Sequence, residues 1–134
     1  MILVLQTNVP GALHVWLVGP GSSIVHSSIA VEWHGSDQAL ALVDRILRKV
    51  KISSRDIQGM QVVRGPGAFT AVRTGLIIAN TLAHILDIPV HGMRHETKLT
   101  DSQILDAVMQ PGRRGGTVRP DYGRAPNITK AKRR

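Results

Sequence analysis

The chain has 134 residues, enough for one domain with a modest core, and its apolar fraction of 43% is ordinary for a globular protein. It contains no cysteine, which excludes a disulfide framework, a thiol nucleophile and a cysteine-based zinc site, and only 3% of its residues are aromatic, too few for a platform that stacks single-stranded bases. The net charge is +8, and +7 of it falls between Gln110 and Arg134, where eight Lys and Arg accompany the single Asp121. Such a segment can neutralise phosphates and add salt-sensitive affinity for RNA, or simply stay solvated. Arg113, Arg114, Arg119, Arg124, Lys130, Lys132, Arg133 and Arg134 are therefore the candidate RNA contacts.

In chain order, three strands are predicted at Ile2 to Gln6, His14 to Val18 and Ser23 to Val31, separated by Pro10-Gly11 and Gly19-Pro20-Gly21. The first is short, apolar and without a basic leader, and no run approaches a membrane-spanning length, which predicts a buried strand in a cytoplasmic protein with no membrane partner. Ser36 and Asp37 can open a helix whose Ala39, Leu40, Leu42, Val43, Ile46, Leu47 and Val50 follow helical spacing. Ser53-Ser54-Arg55-Asp56 turns into a strand from Gly59 to Val63. A glycine-proline loop leads to a second helix from about Ala68 to Leu86, and a short strand follows at Pro89 to His91. Weaker helical periodicity runs from Glu96 to Met109, and Gln110 to Gly116 reads as a linker.

This order predicts an α/β domain: a mixed five-stranded sheet, an antiparallel β-meander followed by right-handed parallel crossovers, with flanking helices. It is the order of the ribonuclease H-like core of the actin-like ATPase superfamily, by analogy of topology. The expected organisation is one such domain over residues 1–109 and a basic tail, expected to be flexible, over residues 110–134.

The loop carries the densest signal. In Arg64-Gly65-Pro66-Gly67-Ala68-Phe69-Thr70-Ala71-Val72-Arg73-Thr74-Gly75 the glycines supply φ freedom and Pro66 a fixed φ without an amide, so a strand stops and a helix starts. The backbone N–H groups left at the helix start suit either an anion or a tight turn against the sheet. The second helix is apolar on two sides. Phe69, Val72, Leu76, Ala79, Ala83 and Leu86 form one stripe, and Ala71, Gly75, Ile78, Leu82 and Ile85 another. One stripe can cover the sheet, while the other needs the first helix or a second protein.

Chemistry is sparse elsewhere. A nucleotide-using enzyme on this core needs a carboxylate at the end of the first strand to hold a metal and its phosphates, and here Gln6-Thr7-Asn8 stands in that place. His91 and His95 are four apart without an obvious third ligand, and the serines at 22, 23, 27 and 28 sit in no nucleophile elbow. No catalytic residue, metal site or cofactor is therefore expected. An autonomous nucleotide-using enzyme is the least favoured reading.

The stretch from Val63 to Leu76 resembles the glycine-rich signature of the bacterial TsaB proteins, also called YeaZ, with alanines where serine and glycine are usual. The helix near Ser36, the Ile52 to Ile57 turn and Leu86-Asp87-Ile88-Pro89-Val90-His91-Gly92 agree in order, so the resemblance covers about residues 1–97. It implies an actin-like fold and a degenerate, non-catalytic dimerisation subunit that supports a TsaD-like enzyme in forming tRNA N6-threonylcarbamoyladenosine. The implied partners are that enzyme as a heterodimer, a TsaE-like ATPase, tRNA, and a second copy when the chain is alone. The implied interface is Leu40, Val43, Leu47, Ala68, Ala71, Gly75, Ile78 and Leu82, and the signature loop is Arg64, Gly65, Pro66, Gly67, Phe69, Thr70 and Arg73. Two features depart from the family. Members usually carry Asp-Thr-Ser where this chain has Gln6-Thr7-Asn8, and a typical member continues into a second subdomain, so the resemblance implies a shortened member. Val118 to Pro126 resembles the family's ending.

Overall fold

The computed structural model describes residues 1–30 and 36–123. Strand β1 (Ile2–Gln6) lies at the centre of a five-stranded sheet, with β2 (Ala12–Val18) and β3 (Ile24–Ala30) on one side and β4 (Gly59–Val63) and β5 (Val90–Met93) on the other. The order is β3-β2-β1-β4-β5. The first three strands form an antiparallel meander, and β4 and β5 join in parallel, as the sequence order predicts. The parallel steps are crossovers through α1 (Ser36–Val50) and α2 (Phe69–Leu86).

The two-residue period of the strands sorts two cores. Leu3, Leu5, Val15, Leu17, Met60 and Val62 pack beneath α1 and α2, which contribute Ala39, Leu42, Ile46, Val72, Leu76 and Ala79. On the other face Val4, Trp16, Val18 and Val63 meet Leu99 and Ile104 of the segment around α3 (Asp101–Val108). By length and composition α2 could cross a membrane, contrary to the expectation that no run could. Here one face of it is buried on the sheet.

Several boundaries move: β2 already begins at Ala12, ahead of the expected His14, and β5 runs on to Met93, past the expected His91. Strand β5 begins at Val90 because Pro89 has no N–H, although its carbonyl accepts from Met60 N at 3.0 Å. Helix α3 starts only at Asp101, capped by a reciprocal Thr100–Gln103 box. The preceding turn cannot be helical because Thr97 O and Leu99 N are bound to the side chain of Gln6. The third strand starts at Ile24, and its expected end at Val31 lies outside the described residues.

The largest departure is in the basic segment. Residues 111–123 are not a loose linker but a strap along the sheet edge and the loop before α2. Arg113 exchanges two backbone hydrogen bonds with Val90, at 3.2 and 3.0 Å. Asn80 of α2 holds Val118 by both its N–H and its C=O, at 2.9 and 3.0 Å. Residues 124–134, with Arg124, Lys130, Lys132, Arg133 and Arg134, lie outside the described residues.

Candidate docking surface

The signature loop is built from both sides. From β1, Asn8 Nδ2 donates to Pro66 O and to His95 O, each at 2.7 Å, and Thr7 Oγ1 donates to Ala71 O at 2.7 Å. Gln6 is fully buried. Its Nε2 donates to Asn8 Oδ1 and Thr97 O, while Oε1 accepts from Leu99 N. The segment where a nucleotide enzyme of this fold needs a carboxylate is thus neutral, and its polar groups are bound to the protein's own backbone and to one another. Among the described residues no three His, Cys, Asp or Glu converge as a metal site would require.

From the other side the strap closes on the loop. Arg64 O accepts from Asp121 N at 2.7 Å, and Gly65, at φ +126°, lies so close beneath Asp121 O that a Cβ there would collide with it. The Asp121 carboxylate pairs with Arg94 at 2.7 Å and more loosely with Arg64 at 3.8 Å. The Gly123 amide, followed by the charge of Arg94 and then Arg64, holds the Asp121 carboxyl below its ordinary range. Tyr122 stacks on Phe69 with ring centroids 4.9 Å apart, and the Arg73 guanidinium lies 5.2 Å from the Phe69 centroid. Thr70 is exposed one residue on.

These contacts fix the phase of α2. Gly75 faces inward, where a Cβ would collide with Thr7 Oγ1, and Val72, Leu76, Ile78, Ala79 and Ala83 are buried with it. The outer face is still apolar. Phe69, Ile77 and Ile85 are 56%, 57% and 68% exposed, and Phe69, Thr70, Arg73, Thr74, Ile77 and Ile78 line a shallow groove of about 280 Å³. A second groove of about 180 Å³ runs between the helices, walled by Leu40, Val43, Leu47, Leu82 and Leu86.

The structure divides the interface residues expected from sequence. Leu40 is half exposed, Ala68 is exposed at the N-cap of α2, and Val43, Leu47 and Leu82 wall the interhelical groove. Gly75 is a correction: its small size admits Thr7 of the neighbouring strand, not a second protein. Ile78 is buried, and Ala71 is half buried with its carbonyl bound to Thr7. Sequence reasoning missed Ile77 altogether and did not place Phe69 and Ile85 on one outer face. The signal was present in the four-residue spacing of Phe69, Arg73 and Ile77, once Gly75 is known to point inward.

Of the candidate RNA contacts, Arg114 is occupied, its guanidinium bonded to Asp87 O and 3.4 Å from Asp87 Oδ2. Arg113 and Arg119 are exposed and make no ion pair among the described residues.

Comparison with known proteins decides the lineage. The family model described as TsaD, tRNA N6-adenosine threonylcarbamoyltransferase, matches residues 25–111, well over half of the chain. The chain belongs to the TsaD family. Within it the resemblance to TsaB and YeaZ holds. The TsaB protein of Bacillus subtilis, described as a tRNA threonylcarbamoyladenosine biosynthesis protein, is 33% identical over 77 residues, 57% of this chain and 34% of that protein. The structure of YeaZ from Pseudomonas aeruginosa superposes with a TM-score of 0.64 at 26% identity, over 69% of this chain and 42% of that one. A tRNA N6-adenosine threonylcarbamoyltransferase of Syntrophotalea carbinolica is 43% identical over 54 residues, 40% of this chain and 16% of the enzyme. The chain thus spans about a third of the TsaB relative and about a sixth of the transferase. The actin-like, ribonuclease H-like architecture expected from the strand order is the one this TsaD-family chain shares with YeaZ.

Proposed function

We propose that this TsaD-family chain is a non-catalytic docking subunit that supports a TsaD-like enzyme in forming tRNA N6-threonylcarbamoyladenosine. The observation that carries this reading is the outer side of α2, where Phe69, Ile77 and Ile85 stand exposed and Phe69 and Ile77 line a groove of their own, with a second, apolar groove between the helices. Exposed large apolar side chains strung along the outer half of a helix, with apolar grooves on it and beside it, fit a protein contact. The neutral end of β1 supports the absence of catalysis, because Gln6, Thr7 and Asn8 bring no carboxylate to organise a metal. The TsaB and YeaZ likenesses supply the pathway and suggest a cytoplasmic subunit without a membrane partner.

In this reading the chain forms a heterodimer through α1 and α2, or pairs with itself when the enzyme is absent, and a TsaE-like ATPase and tRNA join the pair. Leu40, Val43, Leu47, Ala68 and Leu82 remain the proposed contacts, extended by Phe69, Ile77 and Ile85. The unpaired state of Arg113 and Arg119 among the described residues favours a second reading, RNA binding through the basic segment.

The test of the first reading is tRNA threonylcarbamoylation by the TsaD-like and TsaE-like proteins of the same organism, with and without this chain. Modification that requires the chain is expected. Equal yield without it would overturn the supporting role.

A further inference from the structure

The strap touches the sheet edge at two points and bows away between them. At the first, Arg113 and Val90 exchange backbone hydrogen bonds. At the second, Val118 seats over Gly92, where any side chain would displace it, and is held from α2 by Asn80. The bow leaves a cleft of about 220 Å³, lined among others by Arg64, His91, Gly92, Arg113, Thr117 and Arg119. At roughly 30 Å³ per liquid water, that is room for a phosphate group with several waters.

None of the residues that line this cleft is acidic, and three of them are arginines. Of the acids nearest in the chain, Asp87 is paired with Arg114, and Asp121 pairs closely with Arg94 at 2.7 Å and only loosely with Arg64 at 3.8 Å. Arg113 and Arg119 make no ion pair among the described residues and Arg64 is only loosely compensated, so the cleft keeps a net positive charge that an anion would relieve. One of the donors is also held in advance. The Arg64 stem lies against Gly92 and its Nε donates to Arg119 O at 3.0 Å, which fixes its guanidinium plane. Strand alternation adds a backbone donor. Val90 turns its N–H outward to Arg113, so Gly92, two residues on, turns its own the same way, and no bond from it to the strap is found among the described residues.

We infer that this cleft between β5 and the strap binds a phosphate group, gripped by the guanidinium groups of Arg64, Arg113 and Arg119. A fork of N–H donors matches the tetrahedral oxygens of phosphate, and three cations favour a group of high charge over a single carboxylate. The same chemistry is offered by an RNA backbone and by a free phosphate or mononucleotide. The site lies on the sheet edge, apart from the outer face of α2, and stands whether or not the chain pairs with an enzyme.

The test follows the Arg Nε–Hε and backbone amide resonances of the full chain by NMR during titration with inorganic phosphate, AMP and a short single-stranded RNA. Shifts confined to Arg64, Arg113, Arg119 and residues 90–92 and 117–119 are expected. Shifts with phosphate and AMP identify a small-molecule ligand, and shifts with RNA alone identify its backbone as the source. The variant R113Q/R119Q changes two exposed side chains whose backbones make the structural contacts, so its melting curve should match that of the parent. It should bind the shifting probe about tenfold more weakly or worse. With RNA, the slope of log affinity on log salt should fall by roughly 0.7 for each phosphate that the variant no longer neutralises. K49Q/R55Q, which removes the same charge at two residues that do not line the cleft, should leave binding unchanged. Absence of cleft shifts with all three probes, or equal losses in both double variants, would overturn the assignment.

Discussion

Gln6 shows how a neutral side chain can take over a position where related chemistry needs an acid. Its amide donates and accepts at once, joining Asn8, Thr97 and Leu99, which a carboxylate without a proton could not do. On the same face of the sheet His14, Trp16 and His26 stack, and His14 Nδ1 lies 3.0 Å from His26 Nε2. Burial first, then the charges of His26 and Lys98, push the His14 pKa from 6.5 down to about 4. His26 is lowered by its own burial and by Lys98, with Asp101 opposing. A histidine whose folded pKa is depressed contributes its stability fully above pH 6.5. That stability is lost as pH falls toward 4, because the unfolded chain takes up the proton first. Up to about 3 kcal/mol is at stake across that window. Thermal melts between pH 7.5 and 4.5 should show the midpoint falling with pH, and His14→Gln should flatten the fall. A parent midpoint that does not move would rule out the coupling.

At the scale of elements, α2 has two faces that the sequence alone could not tell apart. Its apolar residues surround the helix, so periodicity yields two stripes and no phase. The phase is set by Gly75 on Thr7 and by Asn80 on Val118, pairs far apart in sequence that local reading cannot supply. The phase leads to opposite expectations for two substitutions. Gly75→Glu should unfold the chain, since overpacking costs about 1–3 kcal/mol and a buried unpaired carboxylate adds more. Ile77→Glu should stay within roughly 0.5 kcal/mol of the parent in urea denaturation and still lose pairing. A folded, unpaired Gly75→Glu protein would refute this phase, as would an Ile77→Glu protein that pairs normally. Strand order, the meander and the first two helices were legible because each has its own period and its own breakers. The strap was not, because Pro, Gly and Arg over residues 111–120 carry linker chemistry, and its attachment depends on Val90, Asn80 and Arg64 from distant elements.

At the scale of the molecule, one sheet carries two separate surfaces. Helices α1 and α2 present an apolar face suited to another protein, and the β5 edge with its strap presents a cationic cleft. Between them the signature loop ties β1, α2 and the strap together through Asn8, Gly65 and Asp121. Pairing through the helical face is the central claim, and the mass of the complex tests it most directly. Light scattering after size-exclusion chromatography should be run on the full chain mixed with the TsaD-like protein of the same organism. One peak with the summed mass of one copy of each is expected, replaced by two separate monomer peaks when Ile77→Glu is used. Two independent peaks with the parent chain, or an undiminished complex with Ile77→Glu, would contradict it.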